Sequence, residues 1–195
     1  ILRAWRTRSL AGHQRPPAPA VRGWHQGNSD MKTSENYSGL QIALHWIIVL
    51  LIAVNYIVSD GMGRALRAVL KGEAVTGLTP AVHVYVGLAV LALVVLRVIV
   101  RLFQGAPAPL GDGPEILEKA AGAAHGLLYV LLFAVPALGA LAWYGKIGLL
   151  GDVHVVVMNG MLVLAGLHAA AALYHHYILK DSVLMRMVRP PRGRV

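Results

Sequence analysis

Two histidines, His154 and His168, stand fourteen residues apart in one apolar stretch, DVHVVVMNGMLVLAGLHAAAALYHHYILK at 152–180. Imidazole at neutral pH is a proton carrier and a metal ligand, so the geometry of the pair matters. At about 100° per residue, fourteen steps fall about 40° short of four full turns, and both rings leave nearly the same face of a helix. At about 1.5 Å rise per residue they lie roughly 21 Å apart. In a hydrocarbon layer about 30 Å thick, one sits near each surface.

The composition says what must hold them. Of 195 residues, 56% are hydrophobic and only 14% charged, and the mean hydropathy is +0.59. This is too apolar for an ordinary soluble domain and fits a small integral membrane protein. There is no cysteine, which excludes disulfides and thiolate-held clusters or haems. A metal or cofactor would rest on some of the nine histidines. The net charge of +9 does not indicate nucleic acid, because the basic residues flank apolar runs instead of clustering in a soluble fold.

Four spans are expected: about 40–59, 81–103 (ending at Arg97 and Arg101), 117–143 and 152–180. Each is long enough to cross a bilayer. Pro136 inside the third should kink it or free a carbonyl. The connector 59–80 contains a candidate amphipathic surface helix at Arg64–Lys71, and 144–151 reads as a short turn. Before the first span, 1–36 is arginine-rich and nearly free of acids, which predicts a disordered extension; Met31 reads as a natural start. The membrane domain is 37–188, and 189–195 is a basic tail.

Lys and Arg give the orientation. One side receives Arg3, Arg6, Arg8, Arg15, Arg22, Lys32, Arg97, Arg101, Lys119, Lys180, Arg186, Arg189, Arg192 and Arg194, against Arg64, Arg67, Lys71 and Lys146 on the other. Both termini are therefore expected in the cytoplasm. On that topology His83 and His154 share the outer depth. His168 shares the cytoplasmic depth with His45 and His125, and spacing does not choose between those two as its partner. His175 and His176 lie at the cytoplasmic end. A lone histidine in a span is often only a packing or pore residue. Histidines at two matching depths on different helices are better explained as axial ligands of two stacked haems. Gly87, Gly122, Gly139, Gly160 and Gly166 suit close approach, either by a macrocycle or by a neighbouring helix.

YSGLQIALHW at 37–46, HVYVGLAVLALVVLRVIVRL at 83–102, AHGLLYVLLFAVPALG at 124–139 and GLHAAAALYHHYILKDSVLMRM at 166–187 resemble the bacterial cytochrome b561 family. The resemblance spans about 37–188, and its most specific part is the double histidine followed by an aromatic residue and a Lys-Asp pair. It implies an all-α integral membrane four-helix bundle binding two b-type haems in the bacterial inner membrane. It places one haem on His45 and His168 and the other on His83 and His154. It gives His125 a secondary role and brings quinone near His175 or His176. The chain is similar to the members that act as superoxide:ubiquinone oxidoreductases, although its 144–151 connector looks much shorter than theirs.

The function so implied is electron transfer from a periplasmic donor, with superoxide the candidate, to ubiquinone. Arg64, Arg67, Lys71 and Lys146 would form an anion funnel. Two alternatives are a cytochrome b subunit relaying electrons from a dehydrogenase to the quinone pool, and a non-catalytic accessory subunit of a respiratory complex. A histidine-based ion transporter is disfavoured, because the nine acidic residues sit in loops and at span ends.

Overall fold

The computed structural model describes residues 36–107 and 115–190. The disorder expected for 1–36 falls almost wholly outside them, as do part of the loop after the second span and most of the basic tail. The elements in order are α1 (Gly39–Ile57), α2 (Met62–Lys71), α3 (Leu78–Gln104), α4 (Glu115–Tyr144) and α5 (Gly148–Tyr174). A π turn (His175–Leu179) and a 3₁₀ turn (Met185–Met187) follow. Four of the helices are long and apolar enough to cross a membrane.

α1 opens on a capping box. Ser38 Oγ accepts from the Gln41 amide at 3.2 Å, and Ser38 N–H donates to Gln41 Oε1 at 3.3 Å. The same residues join the start of α1 to the end of α3, which fixes the two helices as antiparallel. Gln41 Nε2 donates to the Gly105 carbonyl at 2.9 Å, and Ser38 Oγ donates to Gln104 Oε1 at 2.6 Å. Between them Ile48, Val90 and Val94 form the buried core, covered by Leu51, Ile52, Val86, Leu93 and Leu132. Most other large apolar side chains face outward, as expected where lipid is the solvent.

α1 packs on α3, α3 on α4, and α4 on α5. By contrast, α5 makes no comparable contact with α1 or with α3, and Met161 is its one buried residue. The bundle is therefore closed on three sides and loose where α5 faces α1 and α3.

Two boundaries differ from the sequence reading. The 144–151 connector contracts to 145–147, because α5 already begins at Gly148. Gly148, Gly151 and Asp152 look like turn residues, but α2 recruits them into helix. A Cβ on Gly148 would come within 3.0 Å of Leu70 Cδ1, and one on Gly151 would collide with Leu66 Cδ2. The two leucines thus seat directly on the α5 backbone. His154 consequently lies in the second turn of α5 instead of opening it. α2 itself is the expected amphipathic helix, bounded by left-handed glycines at Gly61 (φ 81) and Gly72 (φ 77). The long helix α4 runs through Pro136 unbroken, and the missing N–H deprives the Leu132 carbonyl of its helical donor.

The other difference is at the end of α5. The sequence suggests a regular helix to Lys180, but the last turn widens at His175–Leu179 and ends on Lys180 in the left-handed region (φ 56). Asp181 fixes this ending: its Oδ2 pairs with His175 Nδ1 at 2.5 Å and its Oδ1 accepts from the Val183 amide at 3.0 Å. Trp46 Nε1 then ties the following 3₁₀ turn to α1 by donating to the Met187 carbonyl at 2.8 Å.

Burial alone would raise the Asp181 carboxyl pKa, but the bonds from His175 and Val183 outweigh it and hold the group below its ordinary range. A carboxyl lowered by folding stabilises the fold fully above its unfolded value, about 3.9. That contribution disappears as pH falls through the folded value. Acidification below about pH 4 should therefore loosen the π turn selectively. Asp181→Asn should do so at neutral pH, seen as amide exchange at 182–184 faster by about threefold to tenfold while mid-α5 amides are unchanged.

Candidate functional site

His83, in the second turn of α3, faces His154 of α5 across the loosely packed side of the bundle. Their ring centroids are 6.2 Å apart and the rings are nearly perpendicular, at 82°. Both line a cavity of ≈ 480 Å³ that also touches Gly87, Gly139 and Arg67. His154 is held by α4: its Nδ1 lies 2.8 Å from the Val135 carbonyl. A carbonyl only accepts, so Nδ1 carries the proton and Nε2 keeps its lone pair. Gly139, one turn beyond Val135, makes room for this. A Cβ there would sit 3.2 Å from His154 Cε1 and Nδ1.

His83 is anchored less tightly. Its Nδ1 is buried without a hydrogen bond of good geometry, as is Asn55 Oδ1. The backbone of Asn55 interacts with the ring. Asn55 lies at the C-terminal end of α1, where Ser59 N–H turns back to the Tyr56 carbonyl at 3.2 Å instead of to Asn55. The Asn55 carbonyl is thus one of the orphans every helix end leaves, and His83 is a donor within its reach.

The opposite end gathers three histidines. His125 of α4 and His168 of α5 have centroids 5.0 Å apart, and His125 Nδ1 lies 2.7 Å from the Ala121 carbonyl. His45 of α1 shares no ring contact with His168, but lies within electrostatic range of His168, His125 and Arg97. His175 and His176 fall in the π turn beyond. The set expected from sequence is thus brought to two levels.

The glycines divide. Gly139 and Gly87 meet neighbouring side chains, the latter Asn55 Nδ2, whereas Gly122, Gly160 and Gly166 have nothing within 4 Å. Helix packing explains the first two and not the other three. Arg64, Arg67 and Lys71 are exposed on α2 and Lys146 on the 145–147 connector. Of the four, only Arg67 lines the cavity.

Arg97 was read as a surface charge ending its span, and the structure corrects this. It is 9% exposed, and its Nη1 donates to the Gln41 carbonyl at 2.8 Å. Its guanidinium lies 6.0 Å from the Tyr129 ring centre, with Arg101 5.5 Å from the same ring. The signal was there to find, since Arg97 stands fourteen residues after His83, the spacing of His154 and His168. The charge asymmetry without it is thirteen against four.

A comparison with known families matches residues 36–190 to prokaryotic cytochrome b561. The chain belongs to this family. Cytochrome b562 of Cereibacter sphaeroides is 42% identical over 160 residues, 82% of this chain and 99% of the relative. Cytochrome b561 homolog 1 of Escherichia coli is 31% identical, over 78% of this chain and 96% of its own length. A probable superoxide oxidase of Yersinia pestis is 29% identical, over 82% and 99%. The chain is therefore a multi-pass membrane electron carrier of the cytochrome b561 type, and the family implies haem.

The residues fit that group. With metal–imidazole bonds of about 2 Å and a ring centre about 1 Å behind the nitrogen, two imidazoles on one iron have centroids about 6 Å apart. His83 and His154 have that spacing. His125 and His168, at 5.0 Å, are too close to take an iron between them as they stand. His45 and His168 come from helices that make no comparable contact with each other.

Gly139→Ala should push His154 off the Val135 carbonyl. The expected result is a shifted haem midpoint or a reduced pyridine haemochrome yield.

Proposed function

We propose that the chain carries electrons across the bacterial inner membrane from periplasmic superoxide to ubiquinone. Two b haems are held by His83 with His154 near the periplasm and by His45 with His168 near the cytoplasm, both termini being cytoplasmic. The observation that carries this reading is the histidine set at each end of one bundle, one pair already at the spacing of a shared iron. Bound haem supplies a reversible one-electron couple.

The chain's own part is to hold, orient and exclude water. The Val135 carbonyl fixes the His154 tautomer and raises the donor strength of Nε2. The Asn55 carbonyl is placed to do the same for His83. Leu66 and Leu70, seated on the start of α5, cover the periplasmic level. Arg64, Arg67, Lys71 and Lys146 outnumber the exposed Asp60, Glu73 and Asp152 at that surface, a positive excess that would raise the local concentration of an anion. At the cytoplasmic end, His175 is bonded through Nδ1 to Asp181, which leaves Nε2 to exchange a proton with quinone. His176 lies beside it, and His125 supports the ring of His168. Reducing one quinone takes two electrons and two protons. Proton donors beside the quinone, and none needed at the donor side, suit this direction.

The likeness to a probable superoxide oxidase supports the donor. The greater identity to a protein named only as a cytochrome b562 favours a second reading: a cytochrome b subunit, or an accessory subunit of a respiratory complex, that relays electrons from a protein partner to quinone.

The test is a pyridine haemochrome assay and reduced-minus-oxidised spectra on the purified protein, then superoxide-driven ubiquinone reduction in liposomes. About two b haems per chain are expected. His154→Ala and His168→Ala should each remove a different one and slow quinone reduction by about tenfold or more. Full haem content without superoxide-driven reduction would select the relay reading, and a purified protein lacking haem would end both.

A further inference from the structure

Arg97 is a cation more than nine-tenths buried inside a membrane bundle. Among the described residues, the ion pairs are Lys119–Glu115 and His175–Asp181, and neither involves it. A guanidinium has five N–H donors; the Gln41 carbonyl takes one, at 2.8 Å, and the face of Tyr129 offers only its quadrupole. Nor can the neighbouring helices supply a counter-charge. α1 and α3 contain no acid, and the acids of α4, Glu115 and Glu118, lie exposed in its first turn. A buried charge without a partner is strongly unfavourable; among the described residues no carboxylate pairs with it, and a bound anion would meet the need.

Its position narrows the choice. Gln41 precedes His45 by one helical turn, so the guanidinium sits about 6 Å closer to the end of the bundle than the His45 level. It lies where α1, α3 and α4 meet, within electrostatic range of His45. A haem at that level carries two propionate carboxylates on one edge, and that edge must turn toward polar surroundings, away from the hydrocarbon centre. Quinone is neutral and would not balance the charge.

We propose that Arg97 is a carboxylate-binding residue whose guanidinium holds a propionate of the haem at the His45–His168 level. This rests on the haem placement given under Proposed function. The planar fork of arginine matches a carboxylate through two parallel N–H donors, and the Gln41 carbonyl holds a third and so fixes the plane. Arg97 thus completes on α3, at one level, the pattern His83 begins at the other, with an anion clamp in place of an iron ligand.

The test uses the purified holoprotein carrying Arg97→Gln or Arg97→Lys, with the haems titrated separately and propionate-bending bands followed by resonance Raman. Removing the cation leaves the carboxylate charge unbalanced, which favours oxidised iron. Arg97→Gln should therefore lower the midpoint of one haem, the one lost in His168→Ala, or release that haem alone. The lysine variant should recover part of the shift. Wild-type midpoints for both haems and unchanged propionate bands in Arg97→Gln would overturn the proposal. So would loss of a bound anionic phospholipid in native mass spectrometry with both haems unaltered, since Arg97 would then be a lipid site. If Arg97→Gln does not accumulate, Arg97→Lys decides: a displaced propionate band supports the pairing and an unchanged band refutes it. Failure of the underlying reading looks different, because the unsubstituted protein would then lack haem at this level.

Discussion

A polar group inside a lipid-facing bundle has no water to fall back on, and this constraint shapes the whole molecule. Each polar side chain between the helices must find a partner in the backbone, in another side chain or in a ligand. Here the backbone supplies most of them. The Val135 carbonyl takes His154, the Ala121 carbonyl takes His125, and the Gln41 carbonyl takes one donor of Arg97. These bonds use the second lone pair of carbonyls already engaged in helices, so the imidazoles are oriented without breaking the helical ladder. The same bonds leave each of the two histidines with a free Nε2. The helix is thus scaffold and supporting shell at once.

The two levels meet the constraint differently. At the His83–His154 level the site is largely assembled: the rings are already at a shared-iron spacing, Gly139 admits His154 to its carbonyl, and α2 covers the end of the cavity. At the His45 level the bundle is looser. There Trp46 links α1 to the 3₁₀ turn beyond α5, through the Met187 carbonyl. Three histidines and a buried cation converge there. A chain does not keep such a cluster for its own stability, since replacing a buried charge by apolar packing is commonly neutral or favourable. The cost makes sense if a polar-edged ligand completes the set.

Much of this was legible in the sequence because it follows from helical period. Four apolar runs gave four spans, and the fourteen-residue spacing gave two levels. Other features depended on contacts between helices, which period does not encode. The start of α5 looks like a turn because Gly148 and Gly151 are turn residues; the leucines of α2 rest on both where they are helical. Arg97 looked like a flanking charge because it lies near the end of its span, and the Gln41 carbonyl that draws it inward belongs to another helix. The π turn at His175–Leu179 depends on Asp181, six residues after the histidine it binds. The partner of His168, His45 or His125, depends on distances between helices, beyond the reach of any spacing argument.

The form of the periplasmic end, on the proposed topology, bears on which donor the protein serves. A protein donor would need a broad face, of order 800 Å² per partner for a stable interface and less for a transient redox encounter. The surface available is small: the connector 58–77, which contains α2, and the three-residue 145–147 connector. α2 is also committed to the bundle, because its leucines rest on the α5 backbone, and any partner that displaced it would open the cavity to water. Its outward face carries exposed Arg64, Arg67 and Lys71, with Lys146 on the adjacent connector, and Arg67 alone reaches the cavity wall. Asp60, Glu73 and Asp152 stand exposed among these cations, and Asp152 shares the cavity wall with Arg67, so the net positive excess here is small. On the reading proposed above, a small anion would be drawn by that excess and would require no docking geometry. The same arrangement would serve a protein partner only if that partner presented an acidic patch small enough to fit over α2. A small diffusible donor, on the reading proposed above, needs no larger face than this end offers, whereas a docked subunit would need its acidic patch to meet α2 without displacing it.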